Sequence, residues 1–364
     1  MKNLFLLVIV FVFTQVYPQN IDQKIIDNII IKSLPISGPG GALLIMKNGN
    51  IEYKKAFGFA DVENKIPNSV ETVFQIGSVS KQMTAAAILM LAEENKLSLD
   101  DTLTKYIPDF ISPGNKVTIK NLLLHNSGIP SYTELPDRPF DWESKQSLDD
   151  IINLLKDREF NFQPGKTFNY NNSGYAILAY IIEKVSGMNY GKFMKEKIFF
   201  PLKMDHTRDG GSSDNIGTRA IGYTINLEEK KIKKAAVTEF PQLAGAGSII
   251  STIGDIAIWD EAVKSKKLLS EQSWNEALST QINAEMFGDS IYYGYGWLIH
   301  NYKGHNIISH TGGMAGFLCA NNIYLDDDVT IIWLSNNDFV NADKLENQIA
   351  NYIFRMGENE RASI

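Results

Sequence analysis

The chain has 364 residues, 44% of them hydrophobic and 21% charged, with a formal net charge of −7 and an isoelectric point near 5.4. These values are typical of a globular protein with a sizeable core, in one large domain or two modest ones. They argue against nucleic acid as the main partner, because phosphate binding needs a basic face.

Residues 1–20 have the pattern of an export signal. A basic start is followed by an apolar run over 4–13, too short to span a bilayer as a helix, and then by polar residues. We expect cleavage between Thr14 and Asn20 and no membrane span afterwards; an uncleaved anchor or a buried N-terminal segment is the alternative. Cys319 is the only cysteine, so no intramolecular disulfide can form, and its apolar surroundings predict a small buried side chain. Export without disulfides favours a bacterial periplasm or the cell exterior.

The first elements after this segment are a helix and a hairpin. Isoleucines at helical spacing predict a helix over 21–34, and a cluster of prolines and glycines ends it. Two strand-like runs, 42–47 and 51–57, are joined by Asn48-Gly49-Asn50, which is hairpin chemistry. A second helix begins near Ser78, and its apolar residues form a stripe suited to packing against a core.

The rest of the chain changes character twice. Residues 100–245 predict helices and long loops, and Thr252 with Asp255 opens a further helix as a capping box. Short β-branched and aromatic runs, separated by turn residues, then occupy 291–300, 305–311, 316–325 and 329–335. These runs predict an antiparallel meander, closed by a helix near 343–355.

Strands at both ends of the chain with helices between them predict an α+β fold, an αβα sandwich. We expect one antiparallel sheet built from both chain ends and flanked by helices, with a mostly helical subdomain inserted. The sheet lobe comprises 21–100 and 245–364, the helical lobe comprises 101–244, and together they make one domain. A cleft between the lobes is the natural place for a site.

The second helix begins with a serine and a lysine on one face. Positions i and i+3 of a helix are neighbours, so the Ser78 hydroxyl and the Lys81 amine can meet. A lysine can take the proton of the serine only if its pKa falls well below about 10.4. Burial and the positive end of a helix both act in that direction. A solvated surface lysine is the alternative, because Ser-x-x-Lys patterns arise by chance in most chains of this length.

Two further stretches make the pattern specific. Tyr170-Asn171-Asn172 stands just before an apolar helix, and His310-Thr311-Gly312 ends a strand. With Ser78-Val79-Ser80-Lys81 they resemble, in order and at fitting separations, the three signatures of the serine β-lactamase and penicillin-binding-protein superfamily. The chain is similar to the branch that holds class C β-lactamases, DD-peptidases, D-aminopeptidases and related esterases, over about residues 25–355. The resemblance implies a β-lactamase/transpeptidase-like fold and a β-lactamase-related serine hydrolase.

The resemblance also implies a role for each signature residue. Ser78 is the expected nucleophile that forms an acyl-enzyme, and Lys81 its neutral base or proton relay. Tyr170 is expected to pass the proton to the leaving group. The residues expected to bind the substrate are Asn172, His310, Thr311 and Gly313. The backbone N–H groups of Ser78 and Gly313 would form an oxyanion hole, worth about 3 kcal/mol per donor, and Gly312 and Gly313 would leave room for the substrate.

One signature residue departs from the class C β-lactamases, which carry a lysine where this chain has His310. The histidine form occurs among DD-peptidases and D-aminopeptidases; with a reference pKa near 6.5, His310 is expected to face the substrate and to titrate in the working range. His125 is expected to be a core histidine rather than a catalyst, and no histidine spacing predicts a metal site. Tyr293, Tyr295 and Trp297 are expected to pack, with a substrate wall as the alternative.

The predicted function is an exported serine hydrolase that cleaves an amide or ester through an acyl-enzyme on Ser78. A small peptide with a D-residue is the first substrate class, as for a DD-carboxypeptidase or D-aminopeptidase, and a carboxylic ester is the second. A β-lactamase and a non-hydrolytic penicillin-binding or sensor module are the alternatives. No cofactor and no nucleic acid partner are expected. The sequence does not indicate the natural substrate, the oligomeric state, or the roles of the loops near 130–145 and 205–240.

Overall fold

The computed structural model describes residues 21–110, 116–137, 142–212 and 217–361. The predicted export signal at 1–20 lies outside the described residues. Among the helices in these ranges, none combines the length and the apolar character needed to cross a membrane.

Strands occur near both chain ends, as the sequence predicts, and short ones also occur in the middle of the chain. In chain order they are β1 (Gly41–Lys47), β2 (Asn50–Phe57), β3 (Phe59–Asp61), β4 (Ile66–Pro67), β5 (Phe74–Gln75), β6 (Arg208–Asp209), β7 (Tyr223–Asn226), β8 (Lys231–Lys234), β9 (Ile249–Ser251), β10 (Ile282–Asn283), β11 (Tyr292–Tyr293), β12 (Leu298–Tyr302), β13 (His305–Met314), β14 (Phe317–Tyr324) and β15 (Val329–Ser335).

The helices include those that the sequence predicts near 21–34, at Ser78, after Tyr170-Asn171-Asn172, after Thr252 and near 343–355. In chain order they are α1 (Gln23–Ser33), α2 (Ser80–Glu93), α3 (Ile119–Leu123), α4 (Leu148–Leu155), α5 (Asn172–Ser186), α6 (Tyr190–Met194), α7 (Phe200–Leu202), α8 (Ile253–Lys264), α9 (Glu271–Ala277) and α10 (Ala342–Arg361).

The central antiparallel sheet joins the two chain ends. Its strand order is β10-β11-β12-β13-β14-β15-β1-β2, so the first strand of the chain pairs with the last, Gly41 opposite Ser335. The predicted hairpin is confirmed: β1 and β2 are joined by a two-residue turn in which Asn48 and Gly49 have φ of 51° and 71°. Positive φ at both positions is what a type I′ turn requires.

Helices cover both faces of the sheet, which confirms the predicted αβα arrangement. On one face, α1 and α10 pack over Leu43 and Ile45 of β1; on the other, α2 and α8 share a core cluster with Ala42 and Leu44. Successive strand residues point to opposite faces and both faces are covered, so β1 is apolar and buried from Gly41 to Met46, and only Lys47 at its end is charged. The helix α2 is buried on nearly all sides rather than along one stripe as predicted, because the core surrounds it.

Two other sequence predictions need correction. The run predicted as one strand at 291–300 is divided into β11 and β12, because the chain turns at Gly296, where φ is 81°. A Cβ at Gly296 would lie 2.7 Å from the carbonyl oxygen of Lys81, so only glycine allows this approach to α2. The middle segment, predicted as helices and loops, also contains β6, which enters a small sheet of order β5-β9-β6.

Candidate active site

Ser78 lies on a single 3₁₀ turn, Gly77–Val79, that runs directly into α2. The strand β5 ends just before this turn and pairs with β9, which fixes the direction in which the chain enters. Gly77 has a φ of 51°, and a Cβ there would lie 3.0 Å from the backbone nitrogen of Gly313. The nucleophile candidate is therefore held between the small sheet and β13.

Lys81 is fully buried, and three polar atoms surround its amine. Nζ lies 3.0 Å from Ser78 Oγ, 2.9 Å from Asn172 Oδ1 and 2.7 Å from the carbonyl oxygen of Ala246. Burial lowers the pKa of Lys81 well below its ordinary value. A neutral amine has two N–H groups and one lone pair. The two carbonyl oxygens can only accept, so they take both hydrogens, and the lone pair is left for the hydroxyl hydrogen of Ser78.

Asn172 is held so that its oxygen, not its nitrogen, faces Lys81. Its Nδ2 donates to Thr133 Oγ1 at 3.1 Å, which fixes the orientation of the amide. Asn172 is the first residue of α5, and the preceding residue, Asn171, caps that helix by accepting from the N–H of Gly174. Asn171 is therefore a capping residue.

Tyr170 lies beside the lysine. Nζ of Lys81 is 4.9 Å from the centroid of the Tyr170 ring. The Tyr170 hydroxyl is buried and makes no hydrogen bond to a described residue. Burial raises the pKa of Tyr170 above its ordinary value, and a looser interaction with the Ser78 hydroxyl opposes this rise. Burial thus favours the neutral phenol of Tyr170 and the uncharged, basic form of Lys81.

Gly312 of the third signature and the adjacent Gly313 are glycine for different reasons. A Cβ on Gly312 would lie 1.9 Å from the carbonyl oxygen of Ile76 and 3.2 Å from the nitrogen of Ser78. The protein backbone therefore already requires glycine at this position, independently of any substrate. A Cβ on Gly313 would meet only Leu318, at 3.6 Å, so the space next to Gly313 is open. This packing brings the backbone of Gly313 beside the turn that carries Ser78.

His310 does not face the open cavity, contrary to expectation. His310 is 2% exposed, and its ring contacts the side chains of Tyr293 and Tyr170. Burial, and next the proximity of Lys81, lower the pKa of His310 to about 3, so it remains neutral in the working range. Thr311 lines a separate cavity with Asp338 and Asp343. The structure thus brings Ser78, Lys81, Tyr170, Asn172 and Gly313 together and places these two residues around them.

A cavity of about 260 Å³ opens beside Ser78. Apolar side chains of Trp142, Leu243 and Met314 line it, together with the hydroxyl-bearing side chains of Thr133 and Thr238. Among the described lining residues no side chain is charged. An apolar wall with a few polar groups is the ordinary character of a small-molecule site.

Several parts of this site were not predicted from the sequence. The carbonyl oxygen of Ala246 is a backbone acceptor, which no side-chain pattern signals. Thr133, Trp142 and Thr238 reach the cavity from loops whose paths depend on tertiary packing.

Other residues lie as the sequence predicts. His125 is fully buried, and its Nδ1 accepts from the N–H of Asn171 at 3.0 Å. Cys319 is buried, and Tyr295 and Trp297 are core residues.

The sequence profile of the Beta-lactamase family matches residues 30–352. The chain belongs to this family, which has the β-lactamase fold of serine hydrolases, and its Ser78, Lys81 and Tyr170 lie together. Penicillin-binding protein 4* of Bacillus subtilis (strain 168) is 33% identical over 313 residues, which cover 82% of this chain and 68% of that protein.

Solved structures agree with this assignment. The octameric penicillin-binding protein homologue from Pyrococcus abyssi has a TM-score of 0.78 and 28% identity, covering 87% of this chain and 74% of that one. The D-amino acid amidase from Ochrobactrum anthropi SV3 has a TM-score of 0.79 over 93% of this chain and 99% of that one. At 21% identity the second likeness shows the fold alone.

Proposed function

We propose that this protein is an exported hydrolase that cleaves an amide or ester bond through an acyl-enzyme on Ser78. The observation that carries the proposal is the buried Lys81 amine, 3.0 Å from the Ser78 hydroxyl and within hydrogen-bond distance of two carbonyl oxygens that can only accept. A serine is a weak nucleophile until an adjacent base takes its proton. This geometry supplies such a base.

In the acylation step, Ser78 Oγ bonds to the substrate carbonyl carbon while its proton passes to Nζ of Lys81. The negative charge that develops on the carbonyl oxygen is stabilised by the backbone N–H groups of Ser78 and Gly313. As the bond to the leaving nitrogen or oxygen breaks, that atom takes a proton, which Tyr170 relays from Lys81. Water then attacks the acyl carbon and gives a proton to Lys81. The bond from that carbon to Ser78 Oγ breaks, Oγ takes the proton back from Lys81, and the carboxylic acid is released.

The first substrate class is a small peptide or amide with a D-residue, and the second is a carboxylic ester. The family and a relative named a penicillin-binding protein support a D-residue substrate. The cavity favours a substrate whose acyl portion is uncharged and apolar. None of its described lining side chains is charged, and Trp142, Leu243 and Met314 form part of its wall.

Two rival functions are weaker. A dedicated β-lactamase is disfavoured because His310 stands where class C enzymes carry a permanent cation, and it is buried and neutral. A module that acylates and stops has less use for a complete proton relay, and Tyr170 lies next to Lys81 here.

A substrate panel tests the proposal. Purified protein would be mixed with D-amino-acid amides, D-Ala-D-Ala peptides, short-chain esters and a cephalosporin, with Ser78→Ala as the matched control. We expect many turnovers per enzyme on an amide or an ester and none with the control. A single turnover followed by arrest on every substrate would support the sensor module instead.

Export is a separate part of the proposal and rests on residues 1–20. Expressed in bacteria with its own N-terminus, the protein should be recovered outside the cytoplasm, shortened by roughly 14–20 residues. Intact mass of the cell fractions decides this, and a full-length cytoplasmic product would remove export from the proposal.

A further inference from the structure

Two hydrogen bonds determine which nitrogen of the neutral His310 ring carries the hydrogen. Nδ1 lies 2.6 Å from the carbonyl oxygen of Thr311, which can only accept, so Nδ1 carries the hydrogen. In a neutral ring the other nitrogen is then an acceptor. Nε2 lies 3.0 Å from the hydroxyl of Tyr293, which is therefore the donor. Neither ring nitrogen of His310 is left for a substrate.

Tyr293 sits at the centre of a buried aromatic cluster. Its ring centroid lies 4.7 Å from that of His125, 5.7 Å from Phe168, 6.3 Å from Tyr170 and 5.9 Å from His310. The Tyr175 hydroxyl donates to the carbonyl oxygen of Leu123 at 3.1 Å, so its looser interaction with the Tyr293 hydroxyl would also draw on the hydrogen of Tyr293. Nε2 of His310 is the acceptor that lies within hydrogen-bond distance of the Tyr293 hydroxyl, at 3.0 Å, and we assign the hydrogen to it.

The groups that face His310 make a charged imidazole unfavourable. Lys81 approaches from α2, His125 from the end of α3, Tyr170 from the loop before α5 and Tyr293 from β11. Within the described residues no carboxylate acts on the ring. A positive His310 would therefore be buried beside two basic groups with no compensating anion.

The catalytic tyrosine candidate is near enough to be affected by this pair. The ring centroids of Tyr170 and His310 are 6.0 Å apart, and the Tyr170 hydroxyl has no hydrogen-bond partner in the described residues. A lone pair on Nε2 that Tyr293 did not occupy would compete for the Tyr170 hydrogen.

We propose that Tyr293 is a positioning residue, which by donating to Nε2 holds His310 in the neutral Nδ1–H form and so leaves the Tyr170 hydroxyl free to relay a proton at Ser78. His310 then acts as a fixed, uncharged support for Tyr170 rather than as a titrating group that binds the substrate. Only the kinetic consequence rests on the proposed function; the protonation state of His310 does not.

Nuclear magnetic resonance tests the protonation state without any substrate. Long-range ¹H–¹⁵N spectra separate the two neutral forms of imidazole, and with 5 histidines in the chain His310→Gln assigns the signals. In the full-length protein, His310 is expected to stay in the Nδ1–H form between about pH 5 and 8. In Tyr293→Phe, which keeps the ring, His310 should begin to titrate or change form. A wild-type His310 that titrates in this range, or a Tyr293→Phe signal identical to wild type, overturns the proposal.

Kinetics on whichever substrate is hydrolysed test the effect on Tyr170. Loss of one hydrogen bond predicts a fall in kcat/KM of about tenfold in Tyr293→Phe, with a new inflection at acidic pH that disappears when His310→Gln is added. Tyr292→Phe, at the exposed neighbour on β11, is the matched control and should change neither. A lower kcat/KM with an unchanged pH profile means that Tyr293 only fills space, and the proposal fails. If wild type hydrolyses nothing, the proposed function fails while the spectra still decide the role of Tyr293.

Discussion

The amide oxygen of Asn172 lies 2.9 Å from Nζ of Lys81, while its amide nitrogen donates to Thr133. The side-chain group that holds the buried amine is therefore uncharged. An anion at this position would favour the protonated lysine, whereas an amide oxygen accepts a hydrogen bond from either form. The neutral base in this site thus depends on Asn172 as well as on burial.

Replacing Asn172 by aspartate is expected to raise the pKa of Lys81. Opposite charges about 4 Å apart interact by about 4 kcal/mol at an effective dielectric of 20, or roughly three pKa units. At neutral pH, kcat/KM should fall by about 10²- to 10³-fold, and the rising limb of the pH–rate profile should move to higher pH. Thr133→Val is the control, since it disturbs the amide without adding charge. A loss of rate without displacement of the limb would contradict the role of Lys81 as base.

The buried lysine should also be visible in the pH dependence of stability. Lys81 is uncharged in the folded protein because burial lowers its pKa, whereas in the unfolded chain it is charged below about pH 10.4. The unfolded state then binds more protons, so the free energy of unfolding rises with pH by up to about 1.4 kcal/mol per pH unit from this residue. Urea unfolding of wild type and Lys81→Met at pH 7 and 9 measures both free energies of unfolding. The value for wild type minus the value for Lys81→Met should be more positive at pH 9 than at pH 7. A constant difference would show that Lys81 is charged when folded.

A covalent label identifies the nucleophile. A serine-directed phosphonate or a penicillin should add its mass to the one peptide that contains Ser78, and Ser78→Ala should abolish labelling. Lys81→Ala should slow acylation by about 10³-fold or more, as removal of a catalytic base does. Peptide mass spectrometry after proteolysis reads the position. A label on another serine would reject the assignment.

Alanine substitutions at Gly312 and at the adjacent Gly313 should have different effects. Gly312→Ala places a Cβ 1.9 Å from the carbonyl oxygen of Ile76, so it is expected to destabilise the fold by about 1–3 kcal/mol, as overpacking does. Gly313→Ala meets only an ordinary contact at 3.6 Å and should unfold like wild type, yet lose activity if the substrate approaches this position. Thermal unfolding and kcat/KM, measured on both variants, separate protein contacts from substrate contacts. Full activity in a stable Gly313→Ala would place the substrate elsewhere.

Sequence patterns predict those parts of the molecule that depend on local chemistry. The hairpin at Asn48 and Gly49 follows from turn residues, and the apolar runs of β1 and β15 follow from burial on both faces. The Ser78–Lys81 contact follows from helical spacing. These features need only neighbours in the chain.

Features that depend on distant neighbours could not be predicted in this way. The orientation of His310 is set by Tyr293, and a run of alternating aromatic and glycine residues does not reveal which of them donates a hydrogen bond. The Ala246 carbonyl is likewise supplied by a segment far along the chain. The sequence alone thus predicts that His310 faces a substrate. In the structure its ring is buried among aromatic side chains, and its two nitrogens bond to Thr311 and Tyr293.

The small sheet β5-β9-β6 has a consequence for how specificity can change. β5 leads into the turn with Ser78, and β9 follows directly after the cavity wall at Gly247; the backbone bond from the N–H of Ile76 to the oxygen of Ile249, 3.2 Å long, ties them together. The cavity residues Trp142 and Thr238, here called the rim, lie on loops outside this seam and are not among the described hydrogen-bond partners of Lys81. Substitutions at the rim can then alter which substrates bind, while Ser78 and Lys81 keep their geometry. The same fold can therefore acquire new substrates without any change in its catalytic residues.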